Sequence, residues 1–162
     1  MKQYPKSDWV VGRVLRDKAD RLGDKIYIRT RDEEVSYGQM NRRANRFARG
    51  FLGLGLKKGD KVSLMMDNSL EHYYCWFGLS KAGLVDVPIN TAYKGKILEY
   101  IINNSEARLL VVDQTYLDRI QFVEDELKNV ENVLVYTPPD SEPVQMDLKK
   151  NCLKLDAFTT ES

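Results

Sequence analysis

His72 is the only histidine in the chain, and Glu71 beside it does not open an HExxH zinc helix. A serine triad also needs a histidine with partners at suitable places, and none suggests itself, so His72 is expected to be an ordinary helix residue. The stretch from Gly78 to Gly83 (GLSKAG) has the look of a nucleophile elbow. It is one residue too long for GxSxG, and Ser80 falls late in a helical pattern instead of on a strand-to-helix turn, so a helix end is expected. Phosphate sites need backbone N–H groups crowded round an anion, which usually demands glycine. All ten glycines lie at or before Gly95, and the densest group, Gly53, Gly55 and Gly59, follows a helix and precedes a strand. That is the reverse of the dinucleotide-binding context, and the spacing misses GxGxxG; these glycines are expected to stop a helix. The turn Asp67-Asn68-Ser69 carries no glycine at all. Tyr73, Tyr74, Trp76 and Phe77 are expected to pack in a core, and Arg42, Arg46 and Arg49 to form the solvated back of a helix. No catalytic residue and no metal ligand is therefore assigned from these motifs.

Charge and composition narrow the field. Lys and Arg number 25 against 24 Asp and Glu, a net +1, and nucleic-acid binding draws most of its affinity from basic excess. No nucleic acid is expected as a partner. Cys75 lies in an apolar run and reads as a small buried hydrophobe; with Cys152 it makes no disulfide framework, which suits a reducing compartment. The first residues carry no apolar stretch of signal-peptide length, and no apolar run approaches membrane-spanning length, so a cytoplasmic location and no membrane span are expected.

The elements that must position any site can be traced from periodicity. Asp8 is placed to cap a first helix with Val11, Val14, Leu15, Ala19 and Leu22 on one face, stopped by Gly23. Residues 26–29 and 34–36 form a hairpin. Ser36 and Gln39 make a capping box for an amphipathic helix with Met40, Ala44, Phe47, Phe51 and Leu54 along its apolar stripe. Apolar runs then begin at Lys61, Val85, Arg108 and Asn132, spaced 24, 23 and 24 residues apart. Helical segments fall between them, at about 70–82 (capped by Asn68 with Glu71), 94–103 and 116–128. Strands and helices alternating at this pitch give an α/β fold: Rossmann-like βαβ units forming a parallel sheet, preceded by a helix, a short β-hairpin and an amphipathic helix. Residues 1–136 are expected to form this α/β subdomain. Residues 137–162, with Pro138, Pro139 and Pro143, read as a polar tail or linker holding one weak apolar cluster of Cys152, Leu153, Leu155 and Phe158.

The order of segments between about Asp24 and Asp113 resembles the N-terminal region of the adenylate-forming acyl-CoA synthetase family. The resemblance rests on the Ser36-Tyr37-capped helix, the run from Leu54 to Val62 (LGLKKGDKV), Lys81-Ala82-Gly83 before Val87-Pro88-Ile89-Asn90, and the run from Ser105 to Arg108 (SEAR) before Val111-Val112. The stretch from Asn90 to Gly95 (NTAYKG) is most similar to the carnitine/crotonobetaine and medium- or long-chain acyl-CoA ligase branches. The resemblance implies an AMP-forming acid–thiol ligase whose substrates are a carboxylic (fatty) acid, ATP with Mg, and CoA. The acid attacks the α-phosphate to give an acyl-adenylate and pyrophosphate, and the CoA thiol then displaces AMP. It also implies a Ser/Thr/Gly-rich phosphate loop, an aromatic-Thr-Glu motif and a C-terminal domain, none of which this sequence contains. Phe158-Thr159-Thr160-Glu161 is similar to the second of these only superficially, since no phosphate loop precedes it. Some members carry an arginine near the CoA phosphates where this chain has Ala92; Lys94 and Lys96 stand close by and are the candidate CoA-phosphate contacts. The expectation is an N-terminal part of such a ligase, inactive alone, with no cofactor of its own, and prone to self-associate through an unfinished sheet. The alternative is a free-standing, non-catalytic Rossmann-like binding or interaction module.

Overall fold

A computed structural model describes residues 4–6 and 10–158. The first helix, α1 (Val11–Leu22), begins after Val10, which makes no side-chain cap; Asp8 lies outside the described residues. Gly23 ends it by donating its N–H to the Ala19 carbonyl at 2.9 Å. Strands β1 (Ile26–Arg29) and β2 (Glu34–Ser36) form the expected antiparallel hairpin. Helix α2 (Tyr37–Gly53) opens on the capping box, with Gln39 N–H donating to Ser36 Oγ at 3.2 Å and Ser36 N–H donating to Gln39 Oε1 at 2.8 Å. Replacing Ser36 by alanine removes an acceptor from an otherwise orphaned N–H. We expect Ser36→Ala to lower stability by about 1 kcal/mol in urea unfolding, with little change in the slope.

The remaining elements are β3 (Lys61–Met65), α3 (Leu70–Ala82), β4 (Val85–Pro88), α4 (Gly95–Ser105), β5 (Leu109–Asp113), α5 (Leu117–Val123), β6 (Asn132–Tyr136) and β7 (Asn151–Lys154). Five strands form one parallel sheet in the order β4-β3-β5-β6-β7. Alternate strand residues feed two separate cores. Val62, Leu64, Leu109, Val111 and Leu134 meet α2 and α3 on one face. Met65, Leu110, Val112, Val133 and Val135 meet α4 and α5 on the other. Strands buried on both faces need continuous apolar runs, which is why these are so plain in the sequence.

Three expectations are corrected. Helix α3 is capped by Ser69, whose Oγ accepts the His72 N–H at 3.2 Å, and not by Asn68 with Glu71; Glu71 instead accepts the Tyr136 hydroxyl at 3.0 Å. The segment expected at 116–128 is helical only over Leu117–Val123, with 3-10 turns at Gln114–Tyr116 and Glu124–Glu126 on either side. Past Tyr136 the chain is not all loop, because Asn151–Lys154 pairs with β6 as a fifth strand. The turn after it, Leu155–Phe158, buries Leu155 and sets the Phe158 ring edge-on to Phe47 and Phe51, with centroids 6.1 and 5.5 Å away. The apolar cluster seen in the sequence is thus the means by which this segment docks.

Candidate functional site

In an open parallel sheet, ligands gather at the carboxyl ends of the strands, above all where successive connections leave in opposite directions. Here that point lies between β3 and β5: the chain runs from β3 to its neighbour β4 and then crosses to β5 on the other side. Asp67 follows β3, Thr91 follows β4, and Tyr116 and Arg119 follow β5. The Tyr116 hydroxyl donates to the Asp67 carboxylate, 2.8 Å from each oxygen. This bond raises the Tyr116 pKa above its ordinary value. Arg119 lies over the Tyr116 ring with its guanidinium carbon 4.7 Å from the centroid, and donates to the Thr91 carbonyl. Asp113, buried at the end of β5, fixes the turn that carries Tyr116 by accepting the Thr115 N–H at 2.9 Å. The four residues form a clamp tying three strand ends together. It presents a carboxylate where a dinucleotide fold presents glycine N–H groups, so the cluster does not fit a triphosphate.

A second cleft, of about 400 Å³, opens at the end of β6 between α2 and α3, and is lined by Arg43, Arg46, Glu71, Tyr74, Tyr136 and Asp156 among others. Arg43 donates to the Tyr74 hydroxyl and, at 3.0 Å, to Glu33. Burial pushes the Tyr74 pKa up to about 12, with the Arg43 guanidinium opposing that rise. Burial and the Glu71 carboxylate likewise raise Tyr136. These groups offer hydrogen bonds and charge but no nucleophile paired with a base.

Among the residues singled out in the sequence, Lys94 is exposed immediately before α4, and Lys96 is bonded to Glu99 on its own helix at 2.8 Å. Neither is held by the clamp. Arg46, assigned to a solvated stripe, is half-buried in the second cleft, whereas Arg42 and Arg49 are exposed. His72 is half-buried, its Nδ1 3.4 Å from the Asp67 carbonyl, and Cys75 is fully buried with its thiol pKa raised by that burial. The last three residues of the Phe158–Glu161 likeness lie outside the described residues. Among the described residues no group of three His, Cys, Asp or Glu could hold a metal, and no helix is long and apolar enough to cross a membrane. Sequence reasoning missed Asp67, Tyr116 and Arg119 as a unit. An aromatic followed three residues later by arginine was visible, but nothing local linked it to Asp67.

Comparison with known proteins gives a consistent result. The family model described as "AMP-binding enzyme" matches residues 15–157. The crotonobetaine/carnitine–CoA ligase of Salmonella paratyphi B is 38% identical over 118 residues, covering 67% of this chain and 23% of that protein. The ligase of the same description from Salmonella enteritidis PT4 is 40% identical over 113 residues, covering 64% of this chain and 22% of that protein. Among solved structures, the anthranilate CoA ligase AuaEII in complex with anthranoyl-AMP superposes with a TM-score of 0.83 at 28% identity, over 98% of this chain and 29% of that one. The N-terminal domain of FACL13 from Mycobacterium tuberculosis superposes with a TM-score of 0.70 at 25% identity, over 91% of this chain and 34% of that one. The chain therefore spans about a quarter of the length of the curated relatives it matches.

Proposed function

Because this chain belongs to the AMP-binding enzyme family, we propose that it supplies the N-terminal sheet of an ATP-dependent acyl-CoA ligase acting on a carboxylic acid in the cytoplasm. The observation that carries this reading is the coverage: nearly all of this chain superposes on less than a third of a CoA ligase bound to an acyl-adenylate. The relatives are ligases that join a carboxylic acid to CoA, and membership of their family implies ATP with Mg for the first step. The switch-point turn offers no place for the phosphates of that reaction, since it holds Asp67 bonded to Tyr116. On this reading the chain's part is to build and brace. The α/β subdomain expected over residues 1–136 extends to β7, which joins its sheet, and the clamp of Asp67, Thr91, Tyr116 and Arg119 holds the strand ends that face the rest of the active site. Lys94 and Lys96, free of that clamp at the head of α4, are the candidate contacts for CoA phosphates.

The isolated chain is expected to catalyse no ATP–pyrophosphate exchange with any fatty acid, whereas the same residues grafted into a crotonobetaine/carnitine–CoA ligase in place of its matching segment should restore exchange. Exchange by the lone chain, or a folded chimera without exchange, would defeat the proposal. The open edge of β7 gives the lone chain a strand to pair, so light scattering on the same sample should show self-association; a strict monomer counts against the unfinished-sheet reading. The alternative, a free-standing binding module, predicts micromolar calorimetric binding of ATP, AMP, NAD or CoA by the lone chain, with amide shifts at the carboxyl ends of the strands.

A further inference from the structure

The opposite end of the sheet, where the strands begin, carries a feature that ligase chemistry at the carboxyl ends does not use. Helix α1, the turn before β3 and the end of α3 enclose a cleft of about 700 Å³ whose lining includes Arg13, Arg16, Asn45, Lys58, Ser80 and Lys81, and no carboxylate among the described residues. Arg16, Lys58 and Lys81 bring three cations from three elements to one concavity, in a chain whose net charge is only +1.

The cations are anchored by close backbone packing. Gly12 N–H donates to Ser80 Oγ at 3.0 Å, and a Cβ on Gly12 would stand 2.8 Å from Lys81 Cγ, so only glycine lets α1 approach α3 this closely. Lys81 is half-buried, and its Nζ donates to Asn41 Oδ1 at 2.7 Å. Gly83 ends α3 in the left-handed region at φ 73°. Its carbonyl accepts the Gly59 N–H at 2.9 Å, and the Lys58 stem passes over it, with Cγ 3.1 Å from where a Cβ would be. The carboxyl end of α3 attracts cations, but a helix dipole amounts to only about half a charge at each end. It offsets a fraction of one cation, and Arg16 still acts on Lys81 as a like charge. Burial, and next the Arg16 charge, depress the Lys81 pKa, and the Asp20 carboxylate opposes them only in part.

We propose that this cleft is a binding site for a small molecule carrying two or more linked phosphoryl groups, held by Arg16, Lys58 and Lys81 with the Ser80 hydroxyl beside them. Guanidinium and ammonium groups converging from three elements match a chain of phosphates better than a single-charged anion. The cleft is large enough for the phosphates to come either from an inorganic polyphosphate or from a nucleotide. The inference does not depend on the ligase reading, because it concerns this chain alone and the other end of its sheet.

The test is titration of the isotope-labelled 162-residue chain with tripolyphosphate, following amide shifts, with calorimetry for affinity. Shifts should centre on Gly12, Ser80 and Gly83. The double variant Arg16→Gln/Lys58→Gln changes two exposed side chains, and should bind about tenfold more weakly or less while keeping its unfolding midpoint. In a parallel arm with ADP, tighter binding than inorganic pyrophosphate assigns the site to nucleotides, and equal or weaker binding assigns it to inorganic phosphate chains. Unchanged affinity in the double variant, shifts scattered over other lysines, sulfate binding as tightly as tripolyphosphate, or no binding would overturn the proposal.

Discussion

Gly78→Leu should destabilise the chain by about 3 kcal/mol or more, a large share of the roughly 5–15 kcal/mol that holds a typical domain folded. Gly78 sits where α2 and α3 cross. A Cβ there would lie 2.7 Å from Phe47 Cβ, 3.2 Å from the Ala48 nitrogen and 3.3 Å from the Ala44 carbonyl oxygen. Two of those three neighbours are main-chain atoms of a helix and cannot rotate away. Ala44 and Phe47 are themselves buried to within 1%. A leucine must therefore push the helices apart along a core that also holds Tyr74, Cys75 and Leu79.

Gly78→Ala separates the two forces at this site. Alanine gains about 1 kcal/mol of helix propensity over glycine, and loses more through the contact with Phe47, so a net loss of about 1–2 kcal/mol is expected. Gly53, at the other end of α2, provides the control. A Cβ there meets nothing within 4 Å, so Gly53→Ala should be neutral or slightly stabilising. Urea unfolding of the three variants decides the matter. If Gly78→Ala is as stable as the parent, the close crossing of α2 on α3 is not real.

How much of this could be read from the chain depends on whether the cause is local. The strands beginning at Lys61, Val85 and Asn132 were found at their first residue, and the next within one residue of Leu109, because apolar runs between helices are a local signal. The capping box at Ser36 was found for the same reason. Strand β7 was not, because an edge strand with only Cys152 and Leu153 half-buried between polar ends lacks that signal. The cap of α3 slipped by one position because Asn68 and Ser69 are both good capping residues, and spacing alone does not choose between neighbours. The clamp and the basic cleft were out of reach altogether. Asp67 and Tyr116 are 49 residues apart, and Gly12 and Ser80 are 68 apart. Each pair meets only once the elements carrying it have packed, a tertiary outcome that periodicity does not contain.

The second large effect is on pH. Tyr74 is 2% exposed and its hydroxyl ionises only near pH 12, against about 10 in the unfolded chain. A raised pKa in the folded state means that the folded chain holds its proton longer. Below pH 10 both states are protonated, and the contribution of Tyr74 to stability is fully present. Between pH 10 and 12 the unfolded chain loses the proton while the folded chain keeps it, so stability falls by about 1.4 kcal/mol per pH unit, up to about 2–3 kcal/mol in all. Tyr136, 5% exposed and facing Glu71, is raised as well and acts in the same direction, as does half-buried Tyr27. The fold should therefore open cooperatively in this alkaline window, with tyrosinate absorbance rising together with loss of far-ultraviolet dichroism. Tyr74→Phe isolates the cause. At neutral pH it should cost about 1 kcal/mol, because Arg43 loses an acceptor, yet its stability should fall less steeply between pH 10 and 12 than that of the parent. An unchanged slope would show that the Tyr74 hydroxyl is not buried against α2, and with it the second cleft as described would be lost.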